Sequence, residues 1–309
     1  MKSKELVAYS AAFAGPLAGN AVLALLDTFE KEWHVSSTTI LLAIPAFMFP
    51  FATIQLFSGT ISDAYNRRNT MVFGFLIYAV GGFLAALSSS FGFFITTRFI
   101  QGIGFALVQP VLLATLSEIS TAERLGLVMG YYGSSTTAGV ALGPLLAGFL
   151  AEVDWRWAFV LIGFLGIAVM LSMLAVFPIE PRRSAGKISA RSIGRQLLSS
   201  MRRTDVARLS ASGFIAFLSF VGVMSFVANE LGSGPLQLGP SEIGMAVSAN
   251  GAAGIAFSPL SGRLVDRNGT RISVILGFVI AGIGTLILAF STRYEQFIAS
   301  MAIRSEDVV

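Results

Sequence analysis

An arginine stands about two helical turns inside a long apolar stretch of this chain. Arg98 is followed by Gln101, and Gln109, eleven residues beyond Arg98, would share its face on a continuous helix. An ionisable side chain in a membrane costs at least a few kcal/mol, so it is normally turned to a cavity or a partner. Snorkelling to the outer membrane surface is the alternative, because Arg98 is near the start of the stretch. We therefore expect Arg98 to face a cavity or a polar partner.

A second motif places small residues and a proline at fixed spacing in the next apolar stretch. Its members are Gly130, Gly139, Gly143, Pro144 and Gly148. Glycine and proline together loosen and kink a helix, while small residues let a neighbouring helix pack closely. A generic packing face is the alternative interpretation of these glycines.

Other polar groups within the apolar stretches are few. The candidates for a central cavity are Asn20, Gln109, Tyr131, Tyr132 and Asn250. The remaining lining would be Phe, Met and aliphatic side chains, which suits a lipophilic or amphipathic ligand. The alternative for each of these residues is a helix–helix contact. Asp27 and Glu230 stand at the outer ends of stretches, where simple solvation is the favoured interpretation.

The amino-acid composition indicates the class of protein in which these candidate residues lie. Of the 309 residues, 54% are hydrophobic and 12% are charged, whereas soluble domains carry about 25% charged residues. A soluble enzyme is nearly excluded. The absence of Cys and the single His exclude disulfides, thiolate nucleophiles and Cys- or His-based metal sites. Because no nucleophile–base pair stands out either, we expect no enzyme and no cofactor.

Nine apolar runs of about 20 residues are long enough to cross a membrane as helices. They lie approximately at 6–26, 38–60, 71–90, 92–116, 126–150, 157–178, 206–229, 242–262 and 272–291. A tenth run starts at Phe297 and stops at Arg304. The fold class is therefore an all-α polytopic membrane protein in a lipid bilayer.

Basic residues alternate between the loops. With the N-terminus inside, the inside segments hold 16 Lys and Arg and the outside segments hold only Lys31, Arg156 and Arg293. Cationic loops stay cytoplasmic, so we expect a cytoplasmic N-terminus in the plasma membrane. Nucleic-acid binding is disfavoured, because these charges flank the spans and form no single face with aromatic residues.

One polar segment divides the chain. We expect an N-terminal six-helix bundle at 1–179, a cytoplasmic basic linker at 180–205 and a C-terminal bundle at 206–309. Apolar and basic residues alternate in the linker at near-helical spacing, which indicates an amphipathic helix on the inner membrane surface. A solvated linker is the alternative.

The chain also contains an internal repeat with an offset of 203 positions. The matched pairs include Gly59 with Gly262, Asp63 with Asp266, Arg68 with Arg271, Gly74 with Gly277, Gly81 with Gly284 and Asp27 with Glu230. These pairs occupy matching topological positions, and six spans return the chain to the same side. The sequence therefore predicts two homologous halves in parallel orientation.

The repeated loops carry a recognisable pattern. The first copy holds Gly59, Asp63, Arg67 and Arg68, and the second holds Gly262, Asp266, Arg267, Gly269 and Arg271. A charged loop would explain the arginines alone but not the repeated Gly-x-x-x-Asp spacing. This pattern resembles the signature loop of the major facilitator superfamily, G-x-L-A-D-R-x-G-R-K. The first copy departs from it at Ala64 and Asn66.

Two further motifs resemble the same superfamily. The stretch from Arg98 matches its fourth-span pattern R-x-x-Q-G-x-G-A-A, with Phe105 as the departure. The fifth-span glycines match the antiporter motif of its drug:proton exporters, G-x8-G-x3-G-P-x2-G-G, departing at Ala147. The following Trp155-Arg156-Trp157 also resembles those exporters, and an aromatic belt at the membrane surface is its alternative.

The resemblance covers essentially the whole chain and implies a function. It implies the major facilitator fold, conformational-switch loops around Asp63 and Asp266, and a role for Arg98, beside Gln101, in proton coupling. Asp27 is a further candidate for coupling, because exporters of this kind commonly use acids in the membrane. A monomeric exporter of drug-like or amphipathic molecules, working by alternating access with protons as the coupling ion, is the expected activity. A sugar or organic-acid importer or uniporter on the same fold is the alternative.

The repeat also leads to an expectation about length. The first half extends to about Pro178, so an equal second half would extend about 72 residues beyond Val309. We therefore expect an incomplete C-terminal bundle in a C-terminally truncated chain. A non-transporting remnant is the alternative that follows from this expectation.

Overall fold

The computed structural model describes residues 3–179, 202–268 and 270–303. These residues form helices, and no strand occurs among them. The helices are α1 (Ser3–Ala21), α2 (Leu26–Trp33), α3 (Ser37–Ile40), α4 (Ala43–Tyr65), α5 (Arg67–Ala86), α6 (Phe91–Ala106), α7 (Gln109–Ile119), α8 (Ala122–Ala151), α9 (Arg156–Val176), α10 (Thr204–Ser233), α11 (Pro240–Asn268), α12 (Thr270–Ala289) and α13 (Tyr294–Ile303). The amphipathic helix expected in the linker lies outside the described residues.

Seven helical stretches of the described part are long and apolar enough to cross a membrane. They are Ser3–Trp33, Ser37–Tyr65, Arg67–Ala86, Phe91–Ile119, Arg124–Ala151, Arg156–Val176 and Thr204–Ser233. These stretches coincide with the first seven predicted spans. Helices α11 and α12 coincide with the eighth and ninth, and α13 with the start of the tenth. The prediction of an all-α polytopic fold is confirmed.

The internal repeat is confirmed by the helix boundaries. Shifted by 203 positions, the bounds of α5 coincide with those of α12, and the first residue of α6 coincides with that of α13. The last residue of α4 likewise corresponds to the last residue of α11. The packing repeats too, since α4 and α5 each pack on α6, as α11 and α12 pack on α13.

A single residue connects α4 to α5 in the first copy of the repeated loop. Asn66 has a φ of 90°, and its side-chain oxygen accepts a hydrogen bond from the main-chain N–H of Arg68 at 3.0 Å. Positive φ favours glycine, and asparagine tolerates it better than most other residues. Asn66 occupies the position at which the signature loop has glycine. Its departure from the signature is therefore compatible with the same tight turn.

Glycines bring the helices of the first half close together. A Cβ added to Gly104 of α6 would lie 2.5 Å from the main-chain nitrogen of Tyr78 in α5. A Cβ at Gly102, two residues earlier, would meet the main-chain oxygen of Phe47 in α4. Helix α6 therefore packs between α4 and α5 at backbone distance, as small residues permit inside membranes.

The two ends of the bundle differ in their charged and aromatic residues. The end at which α1 begins carries Lys4, Arg67, Arg68 and Arg124, and we call it the basic end. The opposite, far end holds a cluster of aromatic rings. Its members are Phe29, Trp33, Phe94, Trp155 and Phe159, with neighbouring centroids 4.5 to 6.1 Å apart.

The aromatic-belt interpretation is wrong for Trp155. Its side chain is 2% exposed, because the ring packs within the aromatic cluster and the indole N–H donates to the carboxylate of Glu32. The same carboxylate accepts a 2.6 Å hydrogen bond from Arg156. Trp157, by contrast, is 55% exposed and suits a lipid-facing position. Glu32 therefore ties the end of the first span to the turn before α9.

Replacing Trp155 should destabilise the protein far more than replacing Trp157. We expect Trp155→Ala to lower the free energy of unfolding by about 3–5 kcal/mol, because it leaves a cavity among packed rings. Trp157→Ala is the matched control and should change stability little. Thermal unfolding of both purified variants, followed by fluorescence-detected size-exclusion chromatography, measures the difference. Equal losses in the two variants would contradict the cluster's stabilising role.

Candidate functional site

A cavity of about 260 Å³ lies between the two halves of the chain. Helices α1, α4 and α8 and the α6–α7 junction line it from the first half, and α10 lines it from the second. The wall is mainly apolar and rich in aromatic and thioether groups, which are Phe47, Met48, Phe51, Phe105, Phe217, Phe220 and Met224. Such a wall suits an apolar or amphipathic ligand.

Two amide side chains stand in the described wall of this cavity. They are Asn20 and Gln109, both predicted for it from sequence. The Asn20 amide also donates to the main-chain oxygen of Pro16 at 2.9 Å, and the Tyr132 phenol lies beside Gln109. Each amide stands at a helix break: a 3-10 turn follows α1 at Val22–Leu25, and α7 begins at Gln109 after α6 has ended at Ala106. Irregular backbone at membrane depth is tolerated where it is buried or lines a cavity.

The other predicted cavity residues lie elsewhere. Tyr131 is 51% exposed, and its ring lies 5.8 Å from that of Tyr9. Asn250 is buried in the second half, where its amide donates to the main-chain oxygen of Met301 at 3.2 Å. Asn250 therefore makes a helix–helix contact between α11 and α13, which was the alternative for these residues.

Arg98 is completely buried within the first half. Its guanidinium donates to the side-chain oxygen of Gln101 at 2.5 Å and to the main-chain oxygen of Ala18 at 3.0 Å. The guanidinium carbon lies 4.8 Å from the centre of the Phe47 ring. Because Phe47 also lines the cavity, one aromatic ring separates the arginine from the cavity.

Two expectations about Arg98 are wrong. Snorkelling does not occur, since the side chain is 0% exposed. Arg98 and Gln109 do not share a face of one continuous helix, because α6 and α7 are separate helices.

Asp27, the further candidate for proton coupling, has neighbours other than Arg98 and Gln101. Its carboxylate pairs with Lys31 at 2.7 Å, and its Cβ lies 3.5 Å from a Cβ built on Gly232 of α10. Asp27 therefore stands at a contact between the two halves, at the far end of the bundle.

The first copy of the repeated loop is bound to its own half of the molecule. Arg67 forms a two-pronged ion pair with Glu118 at the end of α7, with both N···O distances at 2.7 Å. Arg68 donates to the main-chain oxygen of Leu174 near the end of α9 at 2.7 Å. Gly59 has no described atom within 4 Å of an added Cβ, so it makes no close helix approach here. The side chains of the second copy, at Gly262, Asp266, Arg267 and Arg271, lie outside the described residues.

The fifth-span glycines divide into two groups along α8. Near the far end, a Cβ at Gly139 or Gly143 would meet the backbone of α1 at Phe13 and Leu17. A Cβ at Gly148 would meet the main-chain oxygen of Pro240 in α11. Gly130, nearer the basic end, has no described atom within 4 Å of such a Cβ. Only Gly139, Gly143 and Gly148, the glycines of the motif nearer the far end, therefore pack closely against neighbouring helices.

The contacts between the halves follow the same division. Towards the far end, Gly244 of α11 faces the main-chain oxygen of Pro144, and the Ser248 hydroxyl donates to the main-chain oxygen of Ala141 at 2.5 Å. Towards the basic end, Gly133 of α8 and Gly213 of α10 meet no described atom within 4 Å. The contacts recorded between the described parts of the halves therefore lie towards the far end.

Sequence reasoning missed one buried acid. Glu5, in the first turn of α1, is 2% exposed and lies 3.6 Å from Arg124 of α8. Its position next to the charged start of the chain resembles an ordinary solvated terminus, so composition gives no signal for its burial.

Comparison with known proteins gives a consistent result. The family model of the Major Facilitator Superfamily matches residues 8–239 and 209–305. The uncharacterized MFS-type transporter YybF of Bacillus subtilis (strain 168) is 26% identical over 263 residues, which cover 85% of this chain and 65% of YybF. The chain thus spans about two thirds of that relative's length.

Two further similarities concern a quinolone resistance protein and a solved structure. The quinolone resistance protein NorA of Staphylococcus aureus (strain Mu50 / ATCC 700699) is 26% identical over 184 residues, covering 60% of this chain and 47% of NorA. A bacterial homologue of the human lysosomal transporter Spinster, in an inward-facing and unoccupied conformation, superposes with a TM-score of 0.75 at 17% identity. That superposition covers 99% of this chain and 73% of the homologue, and it shows the fold.

Proposed function

This chain belongs to the major facilitator superfamily, and we propose that it exports small amphipathic molecules across the plasma membrane in exchange for protons. The observation that carries the proposal is the apolar cavity between the halves, whose described wall offers aromatic rings and two amides. A sugar carrier would need many more hydrogen-bonding groups to replace the water around its substrate. The cavity therefore favours a lipophilic substrate over the sugar alternative.

The proposed transport cycle is alternating access. The contacts recorded between the described parts of the halves lie towards the far end, and the positive-inside rule makes the basic end cytoplasmic. We infer that the basic end is the open one. In this conformation the cavity would accept a substrate from the cytoplasm or the inner leaflet. Rocking of one half against the other would expose the same cavity to the outside.

Proton coupling is the finer part of the proposal. It is supported by the resemblance of the Arg98 stretch and the fifth-span glycines to proton-coupled exporters. Arg98 and Gln101 form one hydrogen-bonded unit behind the cavity wall. We assign Arg98 and Gln101 to proton coupling. Asp27, at the far-end contact of the two halves, is the further residue that we assign to coupling. The proposed transporter acts as a monomer.

A flux measurement with the full chain tests the proposal. Proteoliposomes with an acidic lumen are exposed to a fluorescent quinolone, and protein-free liposomes serve as the control. We expect accumulation in the lumen that collapses when a protonophore removes the gradient, because outward proton movement drives the exchange. Equilibration independent of the gradient would indicate a uniporter, and no flux above the control would indicate a non-transporting chain. Either of these results would overturn the proposal.

A further inference from the structure

The Arg98 guanidinium is completely buried, yet not all of its N–H groups have a hydrogen-bond acceptor. Its two terminal nitrogens donate to Gln101 and Ala18, but its Nε has no hydrogen-bond partner in the described structure. The side-chain nitrogen of Gln101 has none either. Buried polar groups of proteins are normally paired, and each exception requires an explanation.

The charge is also uncompensated. No carboxylate among the described residues forms an ion pair with Arg98, since the recorded ion pairs join other groups. The nearby phenol of Tyr78 donates to the main-chain oxygen of Ala14. Neutral oxygens and an aromatic face only partly replace water around a cation. An anion beside Arg98 would therefore gain a strong partner at little further desolvation cost to the arginine.

The cavity provides the route by which an anion could reach Arg98. The ring of Phe47 covers the guanidinium on one side and lines the cavity on the other. The backbone of Phe47 is held against Gly102, whereas its side chain borders about 260 Å³ of empty space. Rotation of this side chain into the cavity would uncover the guanidinium without moving α4.

We propose that Arg98 is the anion-binding subsite of the cavity and that Phe47 is its cover. The ligand class is amphipathic carboxylates, in which an aromatic or aliphatic body fills the cavity and a single carboxylate reaches Arg98. A guanidinium matches a carboxylate through two parallel hydrogen bonds. A phosphate monoester is disfavoured, because it would bring more negative charge than one arginine compensates into an apolar wall. Binding of such a ligand at Arg98 is independent of the proposed function. Only its description as a transported substrate rests on that function.

Equilibrium binding to the purified chain tests the subsite without any transport. The probes are radiolabelled 2-naphthylacetate and 2-naphthylacetamide, which share their shape and differ in charge. We expect the carboxylate to bind about 10- to 100-fold more tightly, as a charge-assisted hydrogen-bond pair would provide. Equal affinities of the two probes for the unmodified chain would overturn the proposal, whatever any variant does.

Variants then assign the preference to the two residues. Arg98→Met should abolish the preference, so that the carboxylate and the amide bind this variant with equal affinity. Phe47→Leu should increase the ratio of the two affinities, because the cover is smaller, whereas Phe51→Leu, a cavity-wall ring not stacked on Arg98, should leave the ratio unchanged. Loss of both probes together in a monodisperse Arg98→Met sample would mean a structural role and would contradict the subsite.

The binding result is separable from the transport result. Carboxylate preference without proton-driven flux would support the subsite and contradict the proposed function. Proton-driven flux without carboxylate preference would contradict the subsite and leave the proposed function standing.

Discussion

A leucine in place of Gly143 is expected to prevent α1 and α8 from packing and to leave little folded protein. The added Cβ alone would lie within 3.2 Å of the main-chain carbons of Leu17 and would meet its oxygen. Backbone atoms cannot move aside as a side-chain end can, so the loss of stability should be at the upper end for overpacking, about 3 kcal/mol or more. Yield and unfolding temperature of the detergent-purified variant measure it.

Gly130→Leu is the matched control on the same helix and within the same motif. A Cβ at Gly130 meets no described atom within 4 Å, so this variant should fold and unfold at nearly the temperature of the unmodified chain. Its export should nevertheless fall if the basic ends of the halves close upon each other during the cycle. A stable Gly143→Leu protein would contradict the packing assignment. Unimpaired export by Gly130→Leu would contradict closure at this position.

The comparison of Gly143 with Gly130 distinguishes two explanations of the fifth-span motif. A generic packing face would make every glycine of the motif equally necessary for folding. The structure instead gives Gly139, Gly143 and Gly148 backbone contacts and leaves Gly130 open. If Gly130 is needed for export but not for folding, its small size must matter in a second conformation of the protein, in which the two helices approach each other at this position.

The sequence allows the helical architecture to be predicted because the signals for it are local. Apolar length, loop charge and turn residues are each determined within about 25 residues. The offset of 203 positions found from a few Gly, Asp and Arg pairs also places the boundaries of α12 and the start of α13. The loop at Asn66 was recognisable for the same reason, since its turn requires one residue at positive φ.

The candidate site could be predicted only in part, because its contacts are distant in sequence. Arg98 was recognisable as a buried charge, but its partner oxygen on Ala18 lies 80 positions away in the chain, and its cover Phe47 is one of 26 phenylalanines. The sequence leaves a membrane-surface position open as an alternative for Trp155, because the burial of this residue depends on rings from α2, α6 and α9. Neither the helix break before Gln109 nor the burial of Glu5 has a local sequence signal.

Cysteines at positions 27 and 232 are expected to lock the two halves together at the far end. The chain has no Cys, so Asp27→Cys with Gly232→Cys introduces the only thiols. The two Cβ positions are 3.5 Å apart, at the lower limit of the roughly 3.5–4.5 Å of disulfides. With a protease site inserted in segment 180–201, the halves should stay joined after cleavage until a reductant is added. Export should stop while the disulfide persists, because alternating access requires this contact to open.

The controls distinguish the effect of the disulfide bond from the effect of losing the Asp27 carboxylate. Asp27→Cys alone gives the export rate without the carboxylate, and the reduced double variant should return to that rate. Gly130→Cys with Gly213→Cys, two positions near the basic end without a described neighbour within 4 Å, should remain unlinked in the same conformation. Rapid linkage at 130 and 213 with none at 27 and 232 would mean that the protein rests with its basic end closed. Undiminished export by the linked 27–232 protein would rule out rocking of the halves as the transport step, because a covalent bond at the far end forbids that motion.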